Sequence, residues 1–155
     1  MQRTAVTART EMLIRRPIAD VFDAFVDPHK TSMFWFTSGS DRLEASKRVQ
    51  WRWDMYDLNV DVDVKVLEPN KRIIVEWSSG EAPTTVEWRF TPYSDDTTLV
   101  SITNSGFTGN EQSITKQALD STEGFAFVLA GLKAYLEHGV QLNLVADRHP
   151  SGLEN

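Results

Sequence analysis

Four aspartates crowd one short stretch of this chain: Asp54, Asp57, Asp61 and Asp63. Clustered carboxylates could hold a hard cation, provided their oxygens converge on one point. Asp61 and Asp63 do share a side, but they alternate with Val60, Val62, Val64 and Val66. In a sheet with one wet face such valines turn inward and the acids outward. The expected role of the four is therefore a charged outer surface, and no metal site is expected. His29, His138 and His149 lack metal-ligand spacing such as H-E-x-x-H. His138 falls near a helix C-terminus, where the dipole favours a cation. There is no cysteine, which excludes disulfides and thiolate zinc. No Gly-rich phosphate loop occurs, and nothing brings a Ser-His-Asp set together. An acid or base at an apolar wall would have to be Asp54, Tyr56, Glu76 or Glu123. Each points outward on simple alternation and needs a bulge or a register change to turn in. No catalytic residue and no cofactor is expected.

The aromatic residues are more informative. In VQWRWDMY, Val49, Trp51, Trp53 and Met55 fall on one side of a strand. Trp77 shares a side with Ile73 and Val75, and Trp88 with Val86 and Phe90; Trp35 sits in the loop FWFTSGSD. A tryptophan buries on the order of 200 Å², so four on one sheet face form a broad wall. Any one of them reads as ordinary core, since aromatics favour strands. Taken together they suit an apolar cleft of the kind that holds small molecules. Buried indole N–H groups need acceptors, and the one long helix offers mainly Val, Leu and Phe. A ligand or a water would supply them. Asn104, on the side of Val100 and Ile102, has two open readings: it orients a ligand, or it bonds backbone at the strand end. Phe125 and Leu129 on the long helix complete the expected lining.

The elements that must position these residues follow from periodicity. A strand is expected over about Thr4 to Arg16. In RPIADVFDAFVDP, Ile18, Val21, Phe22 and Phe25 follow the spacing of a helix with one buried face. Pro17 suits its first turn. Asp27-Pro28 opens a second, short helix to about Met33. From Arg48 the period becomes two, with turns at EPNKR, SSGEAP and TPYSDD. The last strand is TTLVSITNSGF. In STEGFAFVLAGLKAYLEHG, Phe125, Val128, Leu129, Leu132, Tyr135 and Leu136 share an arc of about 120°. Ser121 or Thr122 caps its start and Gly139 its end. An antiparallel sheet with one apolar face needs a cover, and only this helix is long enough. The expected class is α+β: a curved sheet of about six or seven strands wrapped around a long C-terminal helix, with two short helices after strand 1.

The 155 residues suit one domain, with a core over about 10–139 and a tail over 140–155. Leu142, Leu144 and Val145 in the tail suggest packing, on the domain or across a homodimer. With 22 acidic against 16 basic residues and net charge -6, the chain is a poor partner for nucleic acid, which needs clustered Lys and Arg. No apolar run approaches the roughly 20 residues of a membrane span, and MQRTAVTARTEML has no signal-peptide core. A cytoplasmic protein without membrane partners is expected.

The segments IRRPIADVFDAFVDPHK, VQWRWDM, VDVKVLEPNKRIIVEW, NSGF at Asn104 to Phe107, and GFAFVLAGLKAYLEHG together resemble the activator-of-heat-shock-protein-90-ATPase homologue (AHSA-type) branch of the START-like (SRPBCC) helix-grip superfamily, over about Thr10 to Gly139. The resemblance implies a seven-stranded sheet gripping the long helix, with a cavity between. In that branch an aromatic, often Trp, follows a Gly at the opening of the long helix; here the pair is Gly124-Phe125. Relatives of this fold bind lipids, hormones and polyketides, and some are cyclases or co-chaperones, so fold leaves function open. The leading expectation is non-enzymatic binding of a small hydrophobic or aromatic molecule by Trp35, Trp51, Trp53, Trp77, Trp88, Asn104, Phe125 and Leu129. A polyketide cyclase-like enzyme is the alternative. A stress-related co-chaperone with a chaperone partner comes last, because the eukaryotic activators carry a further N-terminal domain.

Overall fold

The computed structural model describes residues 6–78, 80 and 82–150. The expected strand start at Thr4, parts of the turn over 78–83 and the end of the tail lie outside the described residues. Strand β1 (Ala8–Ile14) leads to helix α1 (Ile18–Val26) and helix α2 (Pro28–Thr31). α1 buries Val21, Phe22, Ala24, Phe25 and Val26, the face its spacing assigns. Pro17 stands at the N-cap, one position before the turn expected for it. Asp27 ends α1 and caps α2, its carboxylate accepting the His29 N–H at 3.0 Å.

Seven strands form one antiparallel sheet in the order β1-β7-β6-β5-β4-β3-β2. Besides β1 they are β2 (Ser38–Gly39), β3 (Arg48–Trp53), β4 (Leu58–Glu68), β5 (Arg72–Ser78), β6 (Thr84–Ser94) and β7 (Thr97–Ser105). Three details differ from the periodicity. β3 stops at Trp53, because Asp54–Tyr56 form a 3-10 turn closed by Asp57 at φ 47°, so Met55 and Tyr56 leave the strand faces. β4 is irregular between Val64 and Val66; Val60, Val62 and Val64 are buried and Val66 is half-buried. β6 runs through Thr-Pro-Tyr, leaving only Asp95-Asp96 as the turn. Its pairing with β5 ends at Arg89, so at Pro92 only β7 lies alongside. A residue without an N–H is tolerated on such a half-open stretch.

Helix α3 (Glu111–His138) lies across the concave face and starts ten residues before the expected cap at Ser121. Asn110 is the true N-cap, accepting the Ser113 N–H at 2.8 Å. In the first ten residues only Ala118 is buried, so no apolar period marked them. Gly139 adopts φ 66° and closes the helix as expected. Phe125, Val128, Leu129, Gly131 and Leu132 form its buried stripe. A Cβ at Gly131 would stand 3.2 Å from the Phe34 carbonyl oxygen, so a side chain there would push that loop back by a few tenths of an ångström. A short helix α4 (Leu144–Arg148) follows, and Val145 packs on the core.

The C-terminal end of α3 is bolted to β1. Lys133 Nζ donates to the Leu13 carbonyl at 2.8 Å and to Glu137 Oε2 at 2.7 Å, and the same oxygen accepts the Arg15 N–H at 3.0 Å. Arg16 Nε donates to the Leu136 carbonyl at 2.7 Å. Burial alone would raise the Glu137 carboxyl; the Arg15 N–H and the Lys133 ammonium outweigh it and hold it below the usual glutamate range. A depressed folded-state value gives stability that is complete above the unfolded value of about 4.3 and fades as pH falls through the folded one. Glu137→Gln is expected to cost about 1–3 kcal/mol at pH 7. In urea melts taken over pH 7 to 3, the gap to the native protein should narrow below about pH 4.

Candidate functional site

The tryptophans of β3, β5 and β6 meet the loop after α2, which carries Trp35. The Trp35 N–H donates to the Thr31 carbonyl at 3.0 Å, which turns the loop aromatics under the sheet. The Trp35 ring then sits 4.9 Å from Trp51, 5.9 Å from Trp53 and from Trp77, 6.1 Å from Trp88 and 5.7 Å from Phe125, centroid to centroid. Most of these pairs are edge-to-face or tilted, the geometry that ring quadrupoles favour. Trp51 and Trp88 are 1% exposed and serve as core. Leu129 is fully buried on α3.

A cleft of about 270 Å³ is lined by Trp53, Leu58, Val60, Trp77, Ala82, Thr84 and Gln117, together with Ser78. Trp77 is only half-buried and stacks on Phe125 at 5.8 Å with 22° between the rings. Its indole N–H donates to Thr84 Oγ1 at 2.8 Å, an acceptor directly across the strand pair. Trp88 differs: its indole nitrogen is buried and has no hydrogen-bond partner among the described residues. Leaving such a donor unpaired costs about 1–3 kcal/mol.

Asn104 is 3% exposed and faces inward. It bonds backbone, as one of the two readings expects, and it is not among the residues that line the cleft. Its amide donates to Thr84 Oγ1 at 3.1 Å and to the Thr85 carbonyl at 2.8 Å, and its carbonyl oxygen accepts the Ser121 hydroxyl at 2.9 Å. It thus joins β6 and β7 to α3 immediately behind the Trp77–Thr84 pair.

The acid–base candidates lie elsewhere. Asp54 is exposed and paired with Arg52 at 2.6 Å; Glu76 faces Lys65 at 3.9 Å; Glu123 pairs with Arg148 at 2.5 Å. The Tyr56 hydroxyl donates to the Val145 carbonyl, and burial pushes the phenol up. The outward acids are likewise paired, Asp63 with Arg48 and Asp61 with Gln50, and no cluster that could hold a metal occurs among the described residues. His29, His138 and His149 are exposed. No helix of the described residues is long and apolar enough to cross a membrane. The sequence reading did not single out Leu58, Ala82, Thr84 or Gln117. Gln117 belongs to the polar part of α3, for which Asn110 followed by Glu111 was the available signal.

A family model described as "Activator of Hsp90 ATPase homolog 1-like protein" matches residues 15–137. Comparison with curated proteins gives no match. Among solved structures, the protein SSP2350 from Staphylococcus saprophyticus is 35% identical, with a TM-score of 0.74, covering 88% of this chain and 96% of that one. The Aha1 dimer from Colwellia psychrerythraea is 18% identical at a TM-score of 0.75, covering 86% and 98%. The di-domain ARO/CYC BexL from the BE-7585A biosynthetic pathway is 15% identical at a TM-score of 0.76, covering 85% of this chain and 46% of its own. The last two likenesses are likenesses of fold.

Asn104→Ala leaves the Thr85 carbonyl and the Ser121 hydroxyl without their buried partner, at an expected cost of about 1–3 kcal/mol. Ser121→Ala removes one bond and should cost about 1 kcal/mol or less. Paired urea melts measure both, and equal costs would show that the helix tie carries the whole effect.

Proposed function

This chain belongs to the activator of Hsp90 ATPase homolog 1-like family, and from that premise we propose that it binds a small, flat, apolar or aromatic molecule in the cleft beside Trp53 and Trp77. The observation that carries the reading is the half-buried Trp77. Its ring is already held flat on Phe125 and oriented through Thr84, and one edge of it borders open space. A preorganised ring can stack on a guest without losing conformational freedom on binding. About 270 Å³ lies just below the range of about 300–1,000 Å³ for drug-sized ligands, so the cleft suits one or two fused rings. Thr84 and Gln117 supply polar contacts at its rim.

The described lining residues carry no carboxylate, imidazole, phenol or amine. That favours carriage over proton transfer. The second reading, a cyclase-like enzyme, is favoured by the fold shared with the ARO/CYC protein; it requires an ionisable group at the cleft whose replacement stops turnover but spares binding. A chaperone partner is favoured by the family description and the Aha1 likeness. Capture of a heat-shock protein 90 chaperone, scored by its ATPase rate, tests that reading. The exposed Leu142 leaves room for a homodimer like that of the Aha1 structure.

2-Naphthol is the simplest probe of the cleft. It should quench tryptophan fluorescence saturably and raise the melting temperature, since a ligand bound by the folded state alone stabilises it. Trp77→Ala should weaken binding at least about tenfold, the loss of about 1.4 kcal/mol of stacking. A set of one- and two-ring aromatics that shifts neither signal would sink the reading.

A further inference from the structure

Helix α4 is too short to stand by itself. Its five residues fall well under the roughly 12–15 that an isolated helix needs in water, so it exists only where it is seated. Val145 packs on the core, the Tyr56 hydroxyl donates to the Val145 carbonyl, and Arg148 Nε pairs with Glu123 Oε1 at 2.5 Å. The seat is loose. About 260 Å³ stays open among α4, Met55 and the loop after α2, and a gap forfeits the attraction that close packing supplies.

The connection from α3 to α4 has two features of its own. It spans 139–143 and is bent at each end by a left-handed residue, Gly139 at φ 66° and Asn143 at φ 58°. Glycine adopts that conformation freely. Asparagine is strained by it unless its side chain finds a local hydrogen bond, and the Asn143 side chain makes no capping bond to α4. Between the bends, Val140 is 43% and Leu142 46% exposed, two of the five large hydrophobics so placed among the described residues.

We infer that a second copy of this chain answers both features: two molecules exchange α4, each seat being filled by the helix of the other. This rests on the homodimer reading above and supplies its mode of assembly. The seat contacts are the same atoms in either state, so they do not decide between them. The connection decides. When it straightens, Asn143 leaves its left-handed turn, and the two straightened connections run past each other at the twofold axis. There Val140 and Leu142 of one copy cover those of the other. Short connections under strain invite such an exchange. The seat also selects its occupant, since a filler must offer a carbonyl to Tyr56 and a cation to Glu123 while burying a small apolar side chain. A second α4 carries all three.

The test exploits the absence of cysteine from the chain. Glu123→Cys is made in one sample of the full chain and Arg148→Cys in another. The two are mixed at high concentration, left to exchange and treated with a short bis-maleimide. Covalent adducts of the two different chains are expected from the mixture and not from either variant alone. A second measurement leaves the seat untouched. Asn143→Val places a β-branched residue where φ 58° is strongly disfavoured, and should tighten the dimer at least about tenfold by light scattering; Asn143→Gly should loosen it by about as much. Leu142→Ser should loosen it too. If a dimer forms but ignores both Asn143 substitutions, or if adducts are as abundant from either cysteine variant alone, the exchange is wrong and an ordinary surface homodimer stands. If the native chain stays monomeric at every concentration, both readings fall.

Discussion

The packing of one loop indole against four sheet indoles is the contact on which this structure depends. A curved sheet and a single helix cannot close on each other with aliphatic side chains alone when the sheet face is this wide. Trp35 stands among all four, and its neighbours tilt to meet its edges and faces. Interiors are packed like organic crystals, so the position of this one ring decides where space is left over. Space remains at the cleft beside Trp77 and under α4.

Two polar ties hold the frame in which that packing occurs. Glu137 and Lys133 fix the C-terminal end of α3 to β1, and Asn104 fixes its middle to β6 and β7. Both ties are buried or nearly so, where hydrogen bonds are strong and their loss is costly. They set the height of the helix above the sheet, which aliphatic contacts would leave adjustable. Gly131 sets the approach of the helix to the loop that carries Trp35.

Much of this was legible in the residues, for identifiable reasons. The valines of β4, the buried face of α1 and the left-handed Gly139 are local features, and local rules find them. An antiparallel sheet with a long helical cover followed from the need to bury one apolar face, and the count of seven strands was what the family resemblance implied. The first ten residues of α3 escaped because they have little to bury against, and β2 escaped because two residues cannot show a period. The centre of the site was the hardest to place. Periodicity tells which face of an element is apolar, but not how far two elements stand apart, so Trp35 read as an adjunct to the wall instead of its hub. The indole donors were expected to lack acceptors because the covering helix is aliphatic. Trp77 found one on the neighbouring strand, a direction that helix-facing logic does not examine, while Trp88 did not.

The brevity of β2 has a further effect. It pairs with β3 opposite Trp51 and Arg52, flanked by hydrogen bonds from Thr37 and Ser40, and Gly39 lies so close to Pro28 that a side chain there would stand 2.9 Å from the proline Cβ. The sheet margin on this side is thus a stub wedged beneath α2, with little straight backbone for a foreign chain to dock on. Exposed margins are where β proteins stick to one another. On that side an incoming extended segment meets few backbone groups to pair with.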